Sequence, residues 1–88
     1  MIEIYGTTNC YYCKEAVQLA KYYGLQYEYK NIDYIAFKEE LLRRVHEVRE
    51  APVIFWDHEY IGNYAHFSEE LSSRLDEYGN WKNNQKSS

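Results

Sequence analysis

The hydrophobic period of the chain switches from two to about 3.6 and back to two within residues 2–32, and this restricts the fold more than any other feature. "IEIY" alternates apolar and polar residues and stops at Gly6, the pattern of a short strand. Next, Cys13, Ala16, Val17, Ala20 and Tyr23 recur on one helical face, and Gly24 stands where a helix is commonly closed. "LQYEYKNI" alternates again, Tyr27 and Tyr29 against Glu28 and Lys30. A strand, a helix and a strand in such close succession form a βαβ unit, with parallel strands and a right-handed crossover.

The second half continues differently. Tyr34, Phe37, Leu41, Val45 and Val48 recur at spacings of three and four and predict a second helix. "PVIFW" is an apolar run led by Pro52, which a strand tolerates at its first residue. Asp57 and His58 read as a turn, and "EYIGN" as the returning strand of a hairpin. Phe67, Leu71, Leu75 and Tyr78 mark a third helix, with Glu69 and Glu70 near its positive end and Gly79 as its stop. The predicted order is β-α-β-α-β-β-α: an α/β fold with a four-stranded mixed sheet and helices on both faces. Residues 1–79 make one domain, and 80–88 make a polar C-terminal tail in which Trp81 alone has the apolar surface to dock back.

Composition narrows the function. A chain of 88 residues buries roughly 60–65% of its unfolded surface, enough for one modest core without disulfide staples. Its net charge of -4 argues against a broad nucleic-acid footprint. "LLRRV" is the one candidate basic patch, and with Glu39, Glu40 and Glu47 around it the patch reads as a solvated helix face. No apolar run approaches the ~20 residues of a membrane span, and "MIEIYG" does not resemble a signal peptide. The expectation is a cytoplasmic monomer that binds neither membrane nor nucleic acid. Eleven tyrosines read mostly as the rim of a small core, one end apolar and one wet.

Both cysteines lie in "TTNCYYCKEAV", directly before the first helix. Cys10 at the helix cap would meet unpaired N–H groups and the positive end of the helix dipole, which favour a thiolate. A free thiol titrates near ~8.5, and a shift to about 6 would make it roughly 90% thiolate at pH 7. Cys10 is then a nucleophile toward disulfides. Cys13, one turn deeper on the apolar face, would attack the resulting mixed disulfide, and Lys14 could add positive charge nearby. The competing readings are a structural disulfide, a zinc site and a hydrolytic nucleophile. Such a short loop suits the first poorly. His46, His58 and His66 fit no zinc-ligand spacing, and no His with an orienting partner is evident for the third.

With these elements in order, the chain resembles the glutaredoxins, small members of the thioredoxin fold. The resemblance covers roughly residues 1–78 and rests on "IEIYGTTNCYYCKEA", "REAPVIFW" and "YIGN". A Pro heading an apolar strand about forty residues after the cysteines, followed by Ile-Gly, gives the pair its specificity. The resemblance implies that Cys10 attacks and Cys13 resolves. It makes Tyr12 the tyrosine of the usual Cys-Pro-Tyr-Cys. Pro52 becomes a cis-proline beside the dithiol, and Ala51 the residue whose backbone pairs with a bound cysteinyl substrate, a one-residue β-augmentation. Gly62, Tyr64 and Ala65 fall where the family holds the γ-glutamyl end of glutathione.

The departures are specific. Tyr11 replaces the usual proline, and Thr7 stands where many relatives carry a lysine for a glutathione carboxylate. Arg49 is the residue placed to substitute for that lysine. Asn63-Tyr64-Ala65-His66 offers no acidic side chain for the glutathione amine. Backbone N–H groups at the start of the third helix would still suit a carboxylate.

The resemblance therefore implies a dithiol oxidoreductase with no bound cofactor, acting on protein or glutathione mixed disulfides. Glutathione is the expected co-substrate, and glutathione or thioredoxin reductase the electron source. Small dithiol proteins of this type, virally encoded ones included, commonly donate electrons to ribonucleotide reductase. The alternative is a module holding a metal or an iron–sulfur cluster between two copies.

Overall fold

The computed structural model describes residues 1–75. Seven elements follow in the expected order: β1 (Ile2–Gly6), α1 (Tyr11–Tyr22), β2 (Tyr27–Asn31), α2 (Ile35–Leu42), β3 (Val53–Trp56), β4 (Glu59–Gly62) and α3 (Tyr64–Arg74). The strands form one mixed sheet in the order β2-β1-β3-β4. β1 runs parallel to β2, with Ile2 opposite Tyr27 and Gly6 opposite Asn31. β3 runs antiparallel to both β1 and β4. The two-residue turn at Asp57 and His58 has positive φ at both positions (50° and 72°), the geometry that matches the twist of a tight hairpin.

Alternation along the strands sorts their side chains between two helical layers. Ile2, Ile4, Ile54 and Trp56 join Ala16 and Ala20 of α1 and Phe67 and Leu71 of α3 in the larger core cluster. Tyr5, Val53 and Phe55 face the other way and pack with Leu41 of α2. Fully burying a side chain such as Ile4 or Phe67 contributes roughly 1.5–3 kcal/mol. α1 closes in a Schellman motif: Gly24 (φ 68°) donates to Lys21, and Leu25 donates to Ala20.

Because β1 lies between two strands and under helices on both faces, its polar position is buried too. Glu3 is only 8% exposed. Lys30 Nζ donates to Glu3 Oε2 at 2.9 Å and to Glu40 Oε2 at 2.6 Å. Arg44 Nη1 donates to Glu3 Oε2 at 3.1 Å and to the Tyr5 hydroxyl at 2.7 Å, while that hydroxyl donates to Glu40. The Arg44 guanidinium also lies 3.8 Å from the Phe55 ring centre. Burial alone would raise the Glu3 pKa, but hydrogen bonds and charge from Arg44 and Lys30 outweigh it and hold the carboxyl below its ordinary value. Burial likewise pulls Lys30 down, yet its bonds to Glu40 and Glu3 prevail and raise it.

The structure corrects four expectations. Arg44 is not part of a solvated face; it turns inward, whereas Arg43 is exposed. The second helix ends at Leu42, and Val45 and Val48 reach the smaller core cluster from the following loop. Tyr34, expected on the buried face, is the 67%-exposed N-cap of α2. The third helix ends at Arg74, where Leu75 turns to extended backbone (φ -103°, ψ 147°), before the Gly79 stop. Tyr78, Gly79, Trp81 and the 80–88 tail lie outside the described residues.

Candidate active site

β1 delivers the chain into a short loop that β2 fixes from the side. Tyr29 donates its hydroxyl to the Thr7 carbonyl at 2.7 Å, Asn31 Nδ2 donates to Thr8 Oγ1 at 3.0 Å, and the Thr8 N–H donates to Asp33 Oδ2 at 3.2 Å. Asn9 takes a left-handed φ of 59°, which asparagine tolerates better than most residues. The turn leaves Cys10 in extended backbone as the N-cap of α1.

The cap contact is made by sulfur. Cys10 Sγ accepts the Cys13 N–H at 3.2 Å, where a serine or aspartate oxygen would ordinarily serve. Cys10 is half-buried and Cys13 fully buried. Their sulfurs are joined in a disulfide, with Cα atoms 5.2 Å apart. Gly6 makes room for this packing: a Cβ there would lie 2.6 Å from Cys13 Sγ and 2.5 Å from the Tyr29 hydroxyl.

A second loop and the start of α3 build a groove beside Tyr12. The Ala51–Pro52 peptide is cis, with Ala51 half-buried and Pro52 buried. Asn63 caps α3 in a capping box: its Oδ1 accepts the His66 N–H at 3.0 Å, and His66 Nδ1 accepts the Asn63 N–H at 3.2 Å. Gly62 (φ 123°) precedes the cap, and the His66 ring occupies the space that a Cβ on Gly62 would need. The groove encloses about 530 Å³, and Tyr12, Ala51, Pro52, Asn63, Tyr64 and Ser68 are among the residues that line it. Tyr12 and Tyr64 stand over it with ring centres 5.6 Å apart, and Tyr11 packs edge-on to Tyr12.

Of the residues singled out in the sequence, Tyr12, Ala51, Pro52, Tyr64 and Ala65 line this groove. Arg49 does not; its exposed guanidinium pairs with Glu47. Lys14 lines a second hollow of about 450 Å³ on the other flank of the loop, with Thr7, Tyr27 and Tyr29. His46, His58 and His66 are all exposed. Among the described residues no three His, Cys, Asp or Glu side chains converge as a metal site, and no helix is long and apolar enough to cross a membrane. Besides Ser68, sequence reasoning missed two groove residues, Glu50 and Glu69. The first adjoins Ala51, and the second lies one turn beyond Ala65 on the same helix face, so helical spacing was the available signal.

The glutaredoxin family model matches residues 2–61. The chain belongs to the glutaredoxin family. Reduced Escherichia coli glutaredoxin is 30% identical, with a TM-score of 0.71 over 82% of this chain and 93% of that one. The glutaredoxin-like protein NrdH-redoxin from Escherichia coli is 22% identical, with a TM-score of 0.62 over 78% of this chain and 90% of its own. A buckwheat glutaredoxin–glutathione complex is 22% identical, with a TM-score of 0.68 over 82% of this chain and 68% of that one. At these lower identities the likeness is one of fold. No curated protein sequence matches the chain. Glutaredoxins are disulfide oxidoreductases, and Cys10–Cys13 is the redox-active pair of this glutaredoxin fold.

Proposed function

We propose that the protein reduces protein or glutathione mixed disulfides by a dithiol mechanism, with Cys10 attacking and Cys13 resolving. The observation that carries this reading is Cys10 Sγ at the cap of α1, accepting the Cys13 N–H. In the reduced protein the same N–H and the helix dipole favour the thiolate at Cys10. Cys13 has no such cap position and is sealed from solvent, so it waits for an internal attack.

The steps balance as follows. The Cys10 thiolate attacks one sulfur of a substrate R–S–S–R′, forming Cys10–S–S–R and expelling R′–S⁻, which takes a proton. Cys13 loses its proton and attacks Cys10 Sγ, expelling R–S⁻ and leaving the Cys10–Cys13 disulfide. Substrate gains two electrons and the protein loses two. Ala51 and the groove beside Tyr12 hold the cysteinyl backbone in line with Cys10, with Pro52, Gly62, Tyr64 and Ala65 shaping the pocket.

A dithiol or two thiols must then reduce the protein. Glutathione with its reductase is one route, in keeping with the glutathione-bound buckwheat relative. Thioredoxin reductase is the other, in keeping with the thioredoxin-like activity profile of NrdH-redoxin. Ribonucleotide reductase belongs among the candidate acceptors by the family resemblance alone. The protein needs no resident cofactor for these steps and would work as a cytoplasmic monomer.

The test is reduction of a small uncharged disulfide with both recycling systems in parallel, measured as NADPH consumption. Turnover with at least one is expected, and turnover with neither overturns the reading. Thr7, and an Arg49 already paired with Glu47, leave the glutathione glycine carboxylate poorly served. The thioredoxin reductase arm is therefore expected to run faster.

A further inference from the structure

The groove beside Tyr12, the residue before Cys13, has an electrical sign. Among the described residues, Glu50 and Glu69 are the charged ones that line it, and no lysine or arginine does. Among the described residues neither carboxylate pairs with a cation. Glu50 Oε2 instead accepts from Asn63 Nδ2 at 3.4 Å, which holds it toward the α3 cap. Glu69 follows Ala65 by one helical turn, on the groove side of α3. Arg49 is the cation nearest in sequence, but its side chain is 82% exposed and paired with Glu47.

The aromatic wall adds a second, independent preference of the same sign. The Tyr12 and Tyr64 rings flank the groove at 5.6 Å, tilted 32° to one another. Ring faces attract ammonium and guanidinium groups and repel carboxylates. A lysine or arginine beside the cysteine of a bound peptide would therefore meet two carboxylates and two aromatic rings. A glutamate there would meet two like charges.

We infer that Glu50 and Glu69 make this groove select disulfides whose cysteine is flanked by lysine or arginine. The inference rests on the oxidoreductase reading above and narrows its substrate class to basic peptide segments of proteins. Chemistry at sulfur is unchanged: the same two electrons pass from the dithiol, and the flanking charge alters only how well the substrate is held for attack.

Two symmetric disulfide-linked peptides, identical except for lysine or glutamate on either side of the cysteine, test the inference. Each is mixed with the reduced full-length protein in a stopped-flow instrument, and the second-order rate constant for oxidation of the protein is measured. Uncharged hydroxyethyl disulfide is run alongside to report the sulfur chemistry. At low salt the lysine peptide is expected to react about ten-fold faster than the glutamate peptide, with the ratio shrinking at about 0.5 M salt as screening shortens to a few ångströms. In a Glu50→Gln/Glu69→Gln variant the ratio should fall to about two or less by the same reasoning, and Glu50→Lys/Glu69→Lys should invert it. A wild-type ratio near one, or a ratio unchanged in both variants, overturns the inference while leaving the oxidoreductase reading intact. If hydroxyethyl disulfide and both peptides fail to oxidise the protein, both readings fall together.

Discussion

Two sulfurs and one missing methyl group set the chemistry at the scale of single residues. Cys10 is reachable and capped by an N–H, whereas Cys13 is sealed under the loop. Cys10→Ser should abolish disulfide reduction. Cys13→Ser should still attack but hold the substrate as a mixed disulfide, detectable as a mass increase of one thiol. A fully active Cys13→Ser protein would show that an external thiol, not Cys13, resolves the intermediate. Gly6 is as specific a requirement. A Cβ there would meet Cys13 Sγ at 2.6 Å and the Tyr29 hydroxyl at 2.5 Å, so at least one must move. Moving Tyr29 releases the Thr7 carbonyl that begins the active-site loop. Gly6→Ala is expected to cost about 1–3 kcal/mol by overpacking, measured by urea denaturation, and to slow the Cys13 step more than the Cys10 step in single-turnover kinetics. Wild-type stability together with wild-type resolution would mean that the strand and α1 separate more easily than their packing indicates.

At the scale of elements, the helix caps decide where the chemistry sits. α1 starts at a sulfur cap, and α3 starts at the Asn63–His66 capping box, which also sets the far wall of the groove. Asn63→Ala removes the side-chain acceptor for the His66 N–H and the Glu50 contact. It should destabilise the protein by about 1 kcal/mol, and it should raise KM for peptide disulfides with less effect on kcat. An unchanged KM would show that the α3 start keeps its place without the cap. The order of elements was legible because each has its own period and its own stop, as at Gly6 and Gly24. Cys10, Cys13 and Pro52 were legible because their signals are local. The second helix was misjudged because Val45 and Val48 continue its spacing, yet their side chains reach the core from a loop. Arg43 and Arg44 look alike in sequence. Only the early helix end and the burial of β1 decide that Arg44 turns inward. Glu50 and Glu69 escaped notice although one adjoins Ala51 and the other lies one turn beyond Ala65, because only the fold brings those two segments into one groove.

Across the whole molecule, the ion cluster under α2 couples β1, β2 and α2, so stability should depend on pH in a direction that these residues fix. Glu3 and Glu40 have folded pKa values below their ordinary 4.5: burial opposes this at Glu3, but Arg44 and Lys30 outweigh it, and bonds from Lys30 and Tyr5 act at Glu40. Groups lowered in this way stabilise the fold above the unfolded pKa, and the contribution is lost as pH falls through the folded value. Lys30 is raised from its ordinary 10.5, so its contribution is present below that pH and is lost only as pH climbs through the higher folded value. The cluster therefore supports a plateau between about pH 5 and pH 10 that falls away on the acid side first. Other carboxylates will add to the acid slope, so the informative quantity is the difference between wild type and Glu3→Gln. That substitution keeps the shape but removes the charge that faces both Lys30 and Arg44, and it should cost about 1.5–3 kcal/mol at pH 7. Below pH 4.5 Glu3 of the unfolded chain takes up a proton while the folded carboxyl, held lower, still resists it, so the gap between the two proteins should narrow steadily toward pH 3. Urea midpoints at pH 7, 5, 4 and 3 measure it. A gap that stays constant over this range would mean that the neutral carboxyl serves Lys30 and Arg44 as well as the charged one, and that the cluster is held by shape and hydrogen bonding rather than by charge.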